Sequence, residues 1–303
     1  MSIYNPKLSY LKAQIESLLS QDVVGLNFDI IIRDDGSSNH ESLSYLKDLA
    51  RKHKNIILLF ENNVGVFYSF WSLINEAFQR GYDYVSLSDQ DDIALPNKLS
   101  LAINHLKKED QTTPLLFFSQ MTYVNDNLEQ QGEPFIDEKI LCFKNALFES
   151  SINGNLMVLN KRACELIVMK KPEAFYMHDW YIYMCLATFG KIIYSPISTL
   201  LYRQHENNVI GGGNSFFEVM KRRVKRFNNF SENTYPVYKQ GKEFKKLWSE
   251  DMCEEDLQVL NNLLSSKESF FKRIRYALSR HNFVRRSFID SILVRLLILT
   301  NKY

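Results

Sequence analysis

Tyr84-Val85-Ser86-Leu87-Ser88-Asp89-Gln90-Asp91-Asp92 is the stretch on which the fold of this chain turns. Its first five residues read as a buried strand. It then places three carboxylates within four residues, and Pro96 follows shortly. Like charges at such close range raise one another's pKa, so the cluster calls for a cation or a partner. Hard oxygen donors at a strand end suit Mg²⁺ or Mn²⁺ held jointly by one or two carboxylates and a substrate's phosphates. The plainer alternative is a solvated acidic turn that caps a helix starting near Pro96.

The flanking sequence favours the first reading. Phe28-Asp29-Ile30-Ile31-Ile32 is a second apolar run, ending at Arg33-Asp34-Asp35-Gly36-Ser37-Ser38. A third, Ile56-Ile57-Leu58-Leu59-Phe60, is followed by Asn62-Asn63-Val64-Gly65 and a helical pattern over 66–80. Helical spacing also marks 8–20 and 41–53. Apolar strands alternating with helices of this length predict an α/β fold, its mostly parallel sheet covered on both faces. Ligands of such sheets bind beyond the carboxyl ends of the strands. The Asp-rich turns at 34–35 and 89–92 both lie at such ends and therefore converge on one crevice. Further strands are expected at 115–118, 156–159, 192–194 and 200–203, with a helix over 178–189. Gly211-Gly212-Gly213 marks a domain boundary, dividing the chain into 1–213 and 214–303.

Composition sets the outer limits. The chain has 303 residues, 45% hydrophobic and 24% charged, enough for an ordinary globular core. Net charge is only +2, but 18 Lys/Arg face 10 Asp/Glu in 216–303, against 19 and 25 in the rest. Cys142, Cys164, Cys185 and Cys253 show no metal or disulfide spacing, which predicts reduced thiols and a cytoplasmic setting. No secretion signal and no membrane-spanning run is evident.

The motifs together resemble a known family. Tyr4-Asn5, Asp34-Asp35-Gly36-Ser37, Ser88 to Asp92 through Pro96-Asn97-Lys98-Leu99, His178-Asp179-Trp180 and Tyr202-Arg203-Gln204-His205 occur in one order. That order is similar to the family 2 glycosyltransferases of GT-A (Rossmann-like) fold, and most to bacterial rhamnosyltransferase-like members that build cell-surface polysaccharides. The resemblance covers roughly residues 1–213. It implies an inverting, metal-dependent glycosyltransferase with a nucleoside-diphosphate sugar donor, dTDP- or UDP-linked, and a glycan or lipid-linked acceptor. Asp34 or Asp35, with Tyr4 and Asn5, would meet base and ribose. Asp89 would lie near the ribose and Asp91 on Mn²⁺ or Mg²⁺. Asp92 would be a helper or a helix cap. Asp179 would be the general base, His205 a metal or diphosphate contact, and Arg203 a partner of phosphate or of the acidic tetrad. Gly65 would let the backbone approach the donor. Gly154, Asn155, His178 and Trp180 would lie on the acceptor side, with Trp180 either a platform or core.

One feature departs from the family. A typical member opens with an apolar strand before the Tyr-Asn pair, whereas here Met1-Ser2-Ile3 precedes it. The first strand is therefore expected to be truncated to a stub. Two other readings stand beside the main one: a nucleotidyltransferase of similar sheet, which lacks its usual Gly-rich basic loop here, and a non-catalytic partner subunit. The tail alternates aromatic and basic residues at 216–230, and again from Phe270 to Tyr276 and around Arg285-Arg286. This predicts a basic amphipathic helical region that docks at the inner face of a membrane. Packing on the catalytic domain is the alternative, and nucleic acid is disfavoured for want of a recognition motif.

Overall fold

The computed structural model describes residues 1–173, 175–204, 236–279, 282–285 and 288–303. His205, the triple glycine, the run at 216–230 and Arg286 lie outside the described residues.

The chain opens with β1 (Ser2–Ile3), α1 (Leu8–Leu19), β2 (Ile30–Asp35), α2 (His40–Lys52), β3 (Ile56–Glu61) and α3 (Gly65–Gln79). The three strands form a parallel sheet in the order β1-β2-β3. β1 is the expected stub, pairing Ser2 with Arg33 and Ile3 with Asp34. Ile3, Ile30, Ile32 and Ile56 bury one face of this sheet against Leu11 and Ile15 of α1 and Leu46 of α2. α2 starts where Asn39 accepts the Ser42 N–H, and carries Glu41 in its first turn and Arg51 and Lys52 in its last. Each of these charges is placed favourably against the helix dipole.

Next come β4 (Tyr84–Ser86), β5 (Ile93–Ala94), α4 (Lys98–Leu106), β6 (Leu115–Val124), β7 (Gln130–Gly132), α5 (Phe143–Ala146), β8 (Val158–Asn160), α6 (Lys161–Met169), α7 (His178–Phe189) and β9 (Lys191–Arg203). These strands make a second sheet ordered β4-β8-β6-β9-β5, with β7 on β6. It is mixed: β6 and β9 run parallel, while β8 is antiparallel to both β4 and β6. The separate strands expected at 192–194 and 200–203 are one long strand, β9, which follows β6 through register shifts around Gln120. Such irregularities bend a strand without ending it. α7 is apolar almost all round, with Trp180 to Leu186 all buried, and this seats its N-terminus firmly beside the sheet.

The C-terminal helices are α8 (Val237–Trp248), α9 (Glu254–Ser266), α10 (Phe270–Leu278) and α11 (Phe288–Leu299). They share the core of the second sheet. Phe244 meets Phe143 and Phe189 at ring distances of 5.8 and 6.4 Å, and Trp248 meets Phe189 at 5.0 Å. One buried cluster runs from Phe118 and Leu186 to Leu260, Val294 and Tyr303.

Candidate active site

The stub β1 delivers Tyr4 and Asn5, and these two residues fasten the acidic turns to one rim. The Tyr4 N–H donates to Gln90 Oε1 at 2.9 Å, and Gln90 Nε2 donates back to the Tyr4 carbonyl at 3.4 Å. Asn5 sits at φ 43°, in the left-handed region that Asn tolerates better than most residues. Its N–H donates to Ser37 Oγ at 2.8 Å, and its Oδ1 accepts from the Ser38 N–H at 2.8 Å. From α1, Gln14 Nε2 reaches Ser88 Oγ at 2.6 Å and the Asp89 carbonyl at 3.1 Å. The predicted convergence of the two turns is thus built from backbone and amide hydrogen bonds.

Asp34 and Asp35 have different surroundings. Asp35 accepts from the N–H groups of Val64 and Gly65 at 2.9 and 3.0 Å and is paired with the buried Arg33. Arg33 also reaches Glu61, Ser69 and the Asn62 carbonyl, so this network holds the start of α3 against β2. Asp34 accepts from the Ser37 N–H at 3.1 Å and lines an open cleft of about 640 Å³ with Lys47, Phe60 and Asn62. Gly65 has φ 81° with open space where a Cβ would stand, so backbone conformation and not crowding demands glycine there.

The tetrad is an acidic centre in which Asp92 is buried, with the buried Lys98 and Arg203 beside it. Asp92 accepts from Asn155 Nδ2 at 2.6 Å and from the Arg203 N–H at 3.2 Å. Burial, then the charges of Asp89 and Asp91, push its pKa well up. It does not cap the following helix, whose N-cap is Asn97. Asp89 is pushed up to about 7, first by burial and then by the charges of Asp91 and Asp179. Lys98, 2% exposed, stands behind them with Nζ 2.5 Å from the Asn155 carbonyl and 3.2 Å from that of Leu87. Burial draws it down to about 8 against the opposing pull of Asp92 and Asp89. The Arg203 guanidinium donates to the carbonyls of Asp91 (3.0 Å) and Asp126 (2.9 Å) and lies 4.4 Å from the Tyr10 ring centroid. Of these contacts, the one to Asp91 is to the tetrad.

Asp179 lies in the first turn of α7 and accepts from the Trp180 N–H at 2.7 Å. Burial raises it to about 6, opposed by hydrogen bonds from the backbones of Trp180 and Gly154. Its charge acts on Asp89, so the two carboxylates stand within electrostatic reach of each other. His178 stacks on Phe70 with centroids 3.8 Å apart and planes 12° apart. Neither of its nitrogens has a hydrogen-bond partner among the described residues, and burial brings it to about 3, so it is neutral. A Cβ on Gly154 would stand 2.5 Å from His178 Nε2, so glycine is required by close approach. Trp180 is 6% exposed and donates its indole N–H to the Ala146 carbonyl at 2.6 Å, which matches the core reading and not the platform. The sequence alone assigns no role to Lys98, Gln14 or Gln90. No local pattern marks a lysine or glutamine as buried, although Lys98 belongs to the Pro96-Asn97-Lys98-Leu99 motif.

Among the described residues, no three His, Cys, Asp or Glu side chains form a ready-made metal cage. The negative charges of Asp91 and Asp179 acting on Asp89 nonetheless fit a divalent cation. Such an ion needs only one or two carboxylates when phosphates supply the remaining oxygens.

The profile of glycosyl transferase family 2 matches residues 1–157. The chain belongs to this family. Among relatives of this glycosyltransferase, the dTDP-rhamnosyl transferase RfbG of Shigella flexneri is 27% identical over 237 residues, spanning 73% of this chain and 77% of that protein. The uncharacterized glycosyltransferase MJ1057 of Methanocaldococcus jannaschii is 29% identical over 210 residues, spanning 67% and 69%. Residues 1–349 of S. aureus TarS, solved in complex with UDP-GlcNAc, superpose with a TM-score of 0.55 at 16% identity, over 100% of this chain and 91% of that one. That last likeness concerns the fold alone, which is the α/β glycosyltransferase fold expected from the sequence.

Proposed function

We propose that this glycosyltransferase moves a sugar, with rhamnose first among the candidates, from a dTDP- or UDP-linked donor to a glycan or lipid-linked glycan in cell-surface polysaccharide synthesis, with inversion at the anomeric carbon. What supports the reading is that Asp179, at the start of α7, lies within electrostatic reach of Asp89 in the tetrad, on which Asp91 acts as well. In this reading the acceptor hydroxyl attacks C1 while the C1–O bond to the diphosphate breaks. Asp179 takes the hydroxyl proton, a role worth roughly 10²–10⁴-fold in rate. Tyr4, Asn5, Asp34 and Asp89 receive the nucleoside, with Asp35 and Gly65 shaping the turn beside them and Arg203 holding the tetrad. Gly154, Asn155 and His178 border the acceptor. Asp91 would hold Mn²⁺ or Mg²⁺, with His205 as a second ligand by the family resemblance, and the bound ion would supply charge stabilisation to the departing diphosphate. The name of the Shigella relative supports a dTDP-rhamnose donor. The test is transfer from dTDP-rhamnose and UDP-sugars with Mn²⁺, with the anomeric configuration of the product read by NMR. Inversion with one donor preferred is expected, and retention would overturn the mechanism.

The enzyme works, in the same reading, at the cytoplasmic face of a membrane without crossing it. No described helix is long and apolar enough to span a bilayer. Support for surface docking comes from α10 and the start of α11, where Phe271 and Phe288 are each 81% exposed and Leu278 is 71% exposed, near Lys272 and Arg275. Apolar tips flanked by basic residues suit an anionic interface, where each base contributes about 1 kcal/mol.

A further inference from the structure

The Asp179 carboxylate receives backbone hydrogen bonds from two elements: from Trp180 in its own helix and from Gly154 in the turn before β8. The two donors converge only while that turn and α7 keep their relative position. Asn145, on α5 and fully buried, is a side chain that touches both. Its Oδ1 accepts from the Tyr183 hydroxyl and from the Ser151 hydroxyl, each at 2.7 Å. Tyr183 lies four residues after Asp179, one turn along the same face of α7. Ser151 lies three residues before Gly154. The next residue of α5, Ala146, accepts the Trp180 indole N–H at its carbonyl. Helix α7 is thus tied to α5 at the residue after Asp179 and again one turn on.

The amide nitrogen of Asn145 is held as well. Nδ2 donates to Glu149 Oε1 at 2.5 Å and to the Val284 carbonyl at 3.0 Å. An asparagine amide offers two acceptor sites and two donors, and here all four are used. A buried network in that condition fixes one arrangement, and removing a member leaves a polar group without its partner. Val284 belongs to the chain between α10 and α11. Its neighbour Arg285 donates to the Phe148 carbonyl at 3.0 Å and pairs with Glu149 at 3.2 Å. Phe283 packs on Phe148 with ring centroids 5.2 Å apart. The C-terminal region therefore buttresses the same short stretch, 145–151, that spaces the turn from the helix. An apolar residue at 145 would fill the core equally well, whereas four directed bonds to α7, the turn and the C-terminal region hold a geometry.

We infer that Asn145 is a positioning residue for the transfer step: it holds the Gly154 turn and α7 at the spacing where both N–H groups meet the Asp179 carboxylate. This rests on the reading of Asp179 as the base. The experiment compares the full chain with Tyr183→Phe and Ser151→Ala, each of which takes one hydroxyl from Asn145 and leaves the fold less exposed to damage than Asn145→Ala. Ser266→Ala, which removes a buried hydroxyl contact to Tyr303 away from the site, is the control. Single-turnover transfer, donor affinity by calorimetry and hydrogen exchange at the Gly154 amide are read on each. Tyr183→Phe and Ser151→Ala are each expected to lower the transfer rate about tenfold, with donor affinity unchanged and faster exchange at Gly154. Their combination should lose less than the product of the two, because both act through one amide. Ser266→Ala should keep the parent's rate and exchange. Parental rates in Tyr183→Phe and Ser151→Ala, unchanged exchange at Gly154, or a loss matched by Ser266→Ala would overturn the inference. Failure of the base reading shows differently, as full-rate transfer by Asp179→Asn, while exchange at Gly154 still decides whether Asn145 holds the turn.

Discussion

Asp179 carries two opposing demands, since burial resists its charge while its proposed task as a base requires that charge. With a pKa near 6 in the folded enzyme, kcat/KM should fall about tenfold for each pH unit below that value. A profile flat down to pH 5 would argue against a carboxylate base. The same shift has a stability consequence. Between the ordinary value of 3.8 and about 6 the folded state holds more protons than the unfolded state, so stability is lost as pH rises through that window. Asp179→Asn removes the effect, and its gain in stability over the parent should grow from pH 4 to pH 6.5, reaching at most about 3 kcal/mol. Tm measured at both ends of the window checks this, and an equal gain at each would contradict it. Lys98 has the reverse character. Lys98→Met leaves Asp89 and Asp92 without their buried cation and should cost about 3–5 kcal/mol in urea unfolding.

The element that positions the base is α7, and Gly154 sets how closely it approaches the turn before β8. Gly154→Ala would press on His178 and displace the start of α7. A shift of about 1 Å there is expected to lower kcat about 10²-fold with donor affinity little changed; donor affinity by calorimetry beside single-turnover rates separates the two. Much at this scale was legible in the sequence. The apolar runs before Asp34 and Asp89 are strands or lead directly from them, and the helix at 178–189 has the expected bounds. Both acidic turns meet although they follow strands of different sheets, because Tyr4 and Asn5 hydrogen-bond to both turns. Other features were hidden for physical reasons. β5 has two residues and β7 three, too short for any periodicity. The antiparallel placement of β8 depends on partners distant in sequence. That Asp35 is tied to Arg33 and to the start of α3, while Asp34 borders a cleft, depends on tertiary contacts that adjacent identical residues cannot reveal.

Across the whole molecule, the C-terminal helices both complete the core and present an apolar, basic face. Phe271→Asp should weaken flotation with anionic liposomes severalfold while leaving Tm within about 1 °C, because the residue is 81% exposed and charged residues at a bilayer interface are disfavoured. Undiminished flotation would return these helices to a packing role alone. The central claim is that the tetrad and the start of α7 form one transfer centre, with Asp179 acting on the acceptor and not on the donor. Its most direct test is single-turnover transfer from dTDP-rhamnose with Mn²⁺ by the enzyme and by Asp179→Asn, with donor binding measured alongside. The account predicts retained donor binding and a transfer rate lower by roughly 10²–10⁴-fold in the variant; transfer at the full rate by Asp179→Asn would contradict it.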